Sequence, residues 1–116
     1  MTYEQALELI ATEYELMGHA PHYRRIRTGL TYDGCTGFCV AIYNDNGEVI
    51  LTDMGETKEV FDEVTEEEWT MLCEAHGLRF RHWHIELPFE KLDDLYDFIY
   101  FLDLISSQFF LYDTDD

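Results

Sequence analysis

Basic residues are scarce in this chain. Only seven Lys and Arg stand among its 116 residues, against twenty-five Asp and Glu, for a formal net charge of −18. That balance excludes binding nucleic acid through a basic face, because counterion release needs clustered Lys and Arg. It argues equally against docking on anionic lipid. Proline is limited to two residues, and no linker or internal repeat divides the sequence, so one domain is expected. Cysteine is limited to Cys35, Cys39 and Cys73. An odd, sparse count fits reduced thiols in the cytoplasm rather than a disulfide framework. The opening Met-Thr-Tyr-Glu-Gln lacks the basic and apolar regions of a signal peptide. Clean apolar runs of about 18 residues are also missing: the stretch 95–111 is broken by Asp97, Asp103, Ser106, Ser107 and Gln108. A soluble intracellular protein is expected.

Apolar and aromatic residues, in contrast, are plentiful. They make up 47% and 16% of the chain, enough to exclude generic disorder despite the charge. The charge is uneven along the sequence. Residues 1–58 carry nine acids and four bases, and residues 59–116 carry sixteen acids and three bases. The second half therefore dominates the electrostatic field. Such a field strains the compact state and speeds encounter with a positive partner.

The residue pattern predicts an α+β domain over residues 1–112, with an acidic tail at 113–116. A capping box of Thr2 and Gln5 opens a helix over 3–17, with Ala6, Leu7, Ile10, Tyr14 and Met17 on its apolar side. Gly18 and Pro21 then stop it. Strands are predicted at 23–32 and 38–43, separated by turn residues Gly34 and Gly37. A turn at 44–47 (Asn-Asp-Asn-Gly) leads into a partner strand at 48–53. A second capping box, Thr65 with Glu68, opens a helix over 66–76 that Gly77 closes. One strand is read over 79–87, with Phe80, His82, His84 and Glu86 alternating against Arg81, Trp83, Ile85 and Leu87. Pro88 ends it. A last helix over 89–112 carries Leu92, Leu95, Tyr96, Ile99, Leu102, Ile105 and Phe109 on its apolar face. The order is α-β-β-β-α-β-α: an antiparallel sheet of about four strands with helices packed on it.

The strand end Leu51-Thr52-Asp53-Met54-Gly55-Glu56-Thr57 carries a recognisable motif. With the later Gly77-Leu78, it resembles a small domain-of-unknown-function family of bacteria and their phages, in which Leu-Thr-Asp-x-Gly-x-Thr closes a strand pair. The likeness spans residues 30–110 and implies a fold and a bacterial or phage setting rather than a reaction. Physically, Asp53 and Thr57 are placed to cap the turn, and Gly55 to take a conformation closed to other residues.

Several residue groups are candidates for chemistry. His82 and His84, at i and i+2, share one side of a strand and have metal-ligand character, with Glu86 or Cys73 as a third ligand. The competing reading is two partly exposed histidines bonded to carboxylates. Cys35 and Cys39 stand four apart, wider than a zinc knuckle and without a second pair. Phosphate-cradling loops, nucleophile elbows and His-Glu-x-x-His are missing. No catalytic residue, metal site or cofactor is assigned. Arg24, Arg25 and Arg27 form the basic cluster, read as internal ion-pair partners.

The most suggestive pattern is Glu90, Asp93, Asp94 and Asp97, whose spacing puts four carboxylates on one helix face. Acids in a first turn complement the helix macrodipole. They also recur at about 5.4 Å per turn, comparable to phosphates along a nucleic-acid strand. With Glu63, Glu66 and Glu67 they form a candidate partner-binding array. In size and charge the chain resembles phage-encoded inhibitors of bacterial defence nucleases, anti-CRISPR proteins among them. The resulting expectation is a non-enzymatic protein that blocks a basic nucleic-acid-binding surface on another protein. Alternatives are an immunity protein or antitoxin against a toxin nuclease, and a small metal or thiol enzyme using His82, His84 and Cys73.

Overall fold

The computed structural model describes residues 1–29 and 39–114, with side chains described to Ser107. Strand candidates at Leu30, Tyr32 and Phe38, the turn glycines Gly34 and Gly37, and Cys35 lie outside the described residues. The elements are α1 (Tyr3–Ile10), β1 (Glu15–Met17), β2 (Tyr23–Arg27), β3 (Ala41–Asp45), β4 (Glu48–Thr52), α2 (Glu56–Val60), α3 (Glu66–Ala75), β5 (Arg79–Arg81), β6 (His84–Pro88) and α4 (Leu92–Thr114). The six strands form one antiparallel sheet in the order β1-β2-β3-β4-β6-β5. The α+β class and antiparallel sheet are as expected. Among the described residues the sheet has six strands rather than about four.

Both extra strands come from segments whose residue pattern reads otherwise. The first helix ends at Ile10, not residue 17. Thr12 turns its hydroxyl back to the Leu9 carbonyl at 2.7 Å, competing with helix continuation. Glu15–Met17 then pairs with Arg25–Arg27, so a sheet edge overrides the helical spacing of Tyr14 and Met17. The single strand at 79–87 is a hairpin instead. His82 and Trp83 turn it, with φ of 52° and 64°, and Arg81 faces His84 across the pair. The two histidines therefore do not alternate along one strand.

Local signals held where they were strong. Both capping boxes are present, at Thr2 with Gln5 and at Thr65 with Glu68. The β3–β4 hairpin turns at Asn46-Gly47, where the Asn44 side chain accepts from the Gly47 amide at 3.0 Å. Gly77, at φ 78°, closes α3, and the Leu78 amide returns to the Cys73 carbonyl at 2.9 Å. The core lies between one sheet face (Ile26, Ile42, Val49, Leu51, Ile85) and the helices (Ala6, Ile10, Trp69, Cys73). α4 supplies Leu95, Phe98, Phe101, Leu102 and Ile105. Its predicted stripe is thus partly corrected: Tyr96 is exposed, Ile99 only partly buried, and Phe98 and Phe101 are core. α4 starts at Leu92 rather than 89 and includes Asp113 and Thr114, which the residue pattern places in the tail. Asp115 and Asp116, and the side chain of Phe109, lie outside the described residues. Among the described residues no helix is long and apolar enough to cross a membrane.

Candidate functional site

Strand alternation puts a second set of side chains on the sheet face away from that core. Ala41 and Ile50 are fully buried there yet stand outside the main apolar cluster. Around them the face is polar and paired. Glu86, 3% exposed, lies opposite Arg79 across the β5–β6 pair. Its Oε1 accepts from Arg81 Nε at 2.7 Å and Arg79 Nε at 3.3 Å, and its Oε2 from the Tyr43 hydroxyl at 2.7 Å. Arg81 continues to Asp45 at 3.2 Å and Arg79 to Glu48 at 2.8 Å. Burial, and then the bond to Glu86, push the Tyr43 hydroxyl above its ordinary range. Hydrogen bonds to Tyr43 and Glu86 raise Arg81 and hold it charged.

The same face carries Arg25, paired with Glu56 at 3.1 Å, and Arg27, paired with Glu15 at 3.3 Å. The expectation of intramolecular ion pairs for Arg24, Arg25 and Arg27 is met at Arg25 and Arg27. Arg24 points to the other face and donates to the Met17 carbonyl. Four of the five arginines thus share one sheet face with five carboxylates, and that face is close to neutral. Almost the whole surplus of negative charge lies elsewhere.

The predicted acidic residues are distributed over three places. Glu63 is exposed in the turn between α2 and α3, and Glu66 and Glu67 are exposed in the first turn of α3. Asp93 and Asp97 are exposed on α4, Asp93 lying 4.0 Å from Lys91. Glu90 precedes α4, so the array of four on one helix face is reduced. Asp94 is structural: its Oδ2 accepts the Glu90 and Lys91 amides at 2.8 and 3.1 Å, satisfying donors at the helix entry.

The strand-end motif works as a clasp. Asp53, fully buried, accepts the Gly55 and Ile85 amides on Oδ1, both at 2.9 Å, and the Thr57 amide on Oδ2 at 3.1 Å. It therefore joins the end of β4 to the start of α2 and to β6. Burial pushes its carboxyl up, against the bonds from Thr57, Gly55 and Ile85 that pull it down. Gly55 takes φ 76°, and a Cβ there would stand 3.0 Å from the His84 ring. The glycine is needed for both reasons.

Of the metal and thiol candidates, His82, in the β5–β6 turn, lines the open-face cleft together with His84 and Glu86, whereas Cys73 lies in the core on the opposite side. Burial pushes the Cys73 thiol up to about 12, and Cys39 is likewise pushed up to about 12. Neither is an activated nucleophile. Among the described residues no group of three or more His, Cys, Asp or Glu is placed to hold a metal ion.

Sequence reasoning missed a cleft of about 530 Å³ over the open face. Its floor is Ala41, Thr52, Tyr43 and Glu86, and its rim includes His22, Tyr23, Met54, His82 and His84. The available signal was the i, i+2 spacing of arginines at 25/27 and 79/81, which puts each pair on one face of its strand. Comparison of the chain with protein-family models, with curated proteins and with solved structures finds no match.

Proposed function

We propose that this protein binds, without catalysis, a basic nucleic-acid-binding surface on another protein and blocks it as a charge mimic. The observation that supports this is the segregation of charge. Six of the seven cations are tied in intramolecular ion pairs, and four of the five arginines share one sheet face. The surplus acids, including Glu63, Glu66, Glu67, Asp93 and Asp97, are exposed on the helices and the α2–α3 turn. A field of this kind accelerates encounter with a positive surface and repels nucleic acid itself.

The test is affinity capture from a bacterial lysate, with the variant Glu66→Gln/Glu67→Gln/Asp93→Asn/Asp97→Asn alongside. Asp94 is left intact because it caps α4. At about 0.1 M salt the wild type captures a nucleic-acid-binding protein and inhibits its DNA or RNA binding. At about 1 M salt, where the Debye length falls to about 3 Å, capture is lost. The folded variant loses it already at low salt. Capture of proteins with no nucleic-acid-binding surface, or equal inhibition by the variant, overturns the proposal.

A further inference from the structure

The cleft over the open sheet face is built in a way the charge-mimic reading does not use. It is formed from three rigid parts. The floor is the Glu86 network, in which a buried carboxylate is held by two arginines and a tyrosine. Such buried ionic groups are weak contributors to stability, since apolar replacements are often neutral or better. Retaining one under a cleft makes a fixed polar surface at its base.

The second part is an aromatic pair, Tyr43 of the floor and Tyr23 of the rim, which are direct cross-strand partners and stand side by side. Tyr23 is 43% exposed and lines the cleft. The third part is a strained rim. Among the described residues four non-glycines have left-handed backbone, and one of them, Asn46, sits in a hairpin turn that demands it. Of the other three, Met54 and His82 line the cleft, and Trp83 is the neighbour of His82. Residues of this kind cluster at ligand sites. Trp83 is held by an edge contact with Phe80 at 5.9 Å and by Lys58 4.9 Å from its ring centre, which fixes the turn.

We infer that this cleft binds a small planar aromatic compound that is uncharged or positively charged. The volume matches the usual range for small-molecule sites, about 300–1,000 Å³. Tyrosine rings and imidazoles suit a flat ring, which stacks on them. The polar edge of the ligand meets Asp45, Asn44 and the Arg81 network. Charge selects against anions, because the face is near neutral while the molecule around it carries −18. A positive group gains from the field and from the tyrosine faces. This site is separate from the acidic helices, so it stands or falls independently of the proposed function.

The experiment titrates three indole compounds of similar shape into isotope-labelled protein, followed by NMR. Tryptamine is cationic, tryptophol neutral and indole-3-acetate anionic. Saturable shifts are expected for the first two, centred on Tyr23, Tyr43, Ala41 and His84. Indole-3-acetate is expected to bind at least about fivefold more weakly, about 1 kcal/mol. Tyr23→Ala removes the rim tyrosine without touching the core and is expected to weaken tryptamine about two- to tenfold, the range of one aromatic pair. The inference is overturned by shifts that do not saturate or that fall outside the cleft, by equal affinity for the anion, or by unchanged binding to a folded Tyr23→Ala protein.

Discussion

Asp53 provides the sharpest test of how this fold is held. Its two oxygens take the amides of Gly55, Ile85 and Thr57, all within 3.1 Å and all on buried residues. Asp53→Ala orphans three buried N–H groups. Each costs about 1–3 kcal/mol, giving a loss of about 3–9 kcal/mol before relaxation or entering water recovers part. Small domains have only about 5–15 kcal/mol in total, so this variant is expected to be largely unfolded. Asp53→Asn behaves differently. Its carbonyl oxygen still accepts from Gly55 and Ile85, but its amide group faces the Thr57 N–H. One amide is orphaned and two bonds lose charge assistance, offset in part because a charge is no longer buried. A loss of about 1–3 kcal/mol is expected. Urea unfolding followed by circular dichroism measures both, with the slope checking that the unfolded states are comparable. An alanine variant within about 0.5 kcal/mol of wild type, or an asparagine variant worse than the alanine one, would refute the clasp.

Three further outcomes follow from the same structure. Thr65→Ala removes one half of the α3 capping box and is expected to cost about 0.5–2 kcal/mol, read by the same urea titration. Cys39 and Cys73, buried and pushed up to about 12, are expected to resist iodoacetamide at neutral pH until the protein is unfolded, as mapped by mass spectrometry; rapid native labelling of either would contradict their burial. At alkaline pH the protein is expected to lose stability. The bond to Glu13 pushes Tyr96 up to about 12, and burial raises Tyr43 above its ordinary 10.0. A raised folded value means that the stabilisation is complete below about pH 10 and lost as pH climbs through the folded values. A melting temperature that is flat from pH 9.5 to 12 would contradict this.

What the sequence revealed was what its neighbours in the chain decide. The capping boxes, the Asn46-Gly47 turn, the Gly77 stop and the Asp53–Thr57 turn each close within a few residues, so side-chain chemistry and backbone conformation are written together. The errors arose where distant pairing decides. Residues 15–17 have helical spacing, but Glu15 finds Arg27 and the edge of β2. His82-Trp83 has no residue that announces a turn, because the strain there is carried by the cross-strand pairs Arg79–Glu86 and Arg81–His84. α2, five residues long, opens at Gly55 without a side-chain cap and gave no periodic signal. The cleft was hidden for the same reason: its residues run from His22 to Glu86 and meet only through the strand order.

The clasp and the charge segregation act on different surfaces. Asp53 fixes Ile85, and the neighbouring His84 packs its ring against Gly55, so the motif residues set the geometry of the cleft wall. The exposed acids of α3 and α4 are positioned by core residues such as Trp69, Leu95 and Phe98 and by their own helix starts. Substituting Asp93, Asp97, Glu66 and Glu67 therefore leaves the floor of the cleft intact. Substituting Tyr23, in turn, leaves the field of the helices intact. Electrostatics still links the two at long range. Removing acids from the helices weakens the field that favours a cation in the cleft, but this effect fades as salt shortens the Debye length. Stacking on Tyr23 and Tyr43 does not fade in that way. A ligand held by the cleft itself thus keeps its dependence on Tyr23 at high salt, whereas a cation drawn only by net charge loses its affinity whichever acids are present.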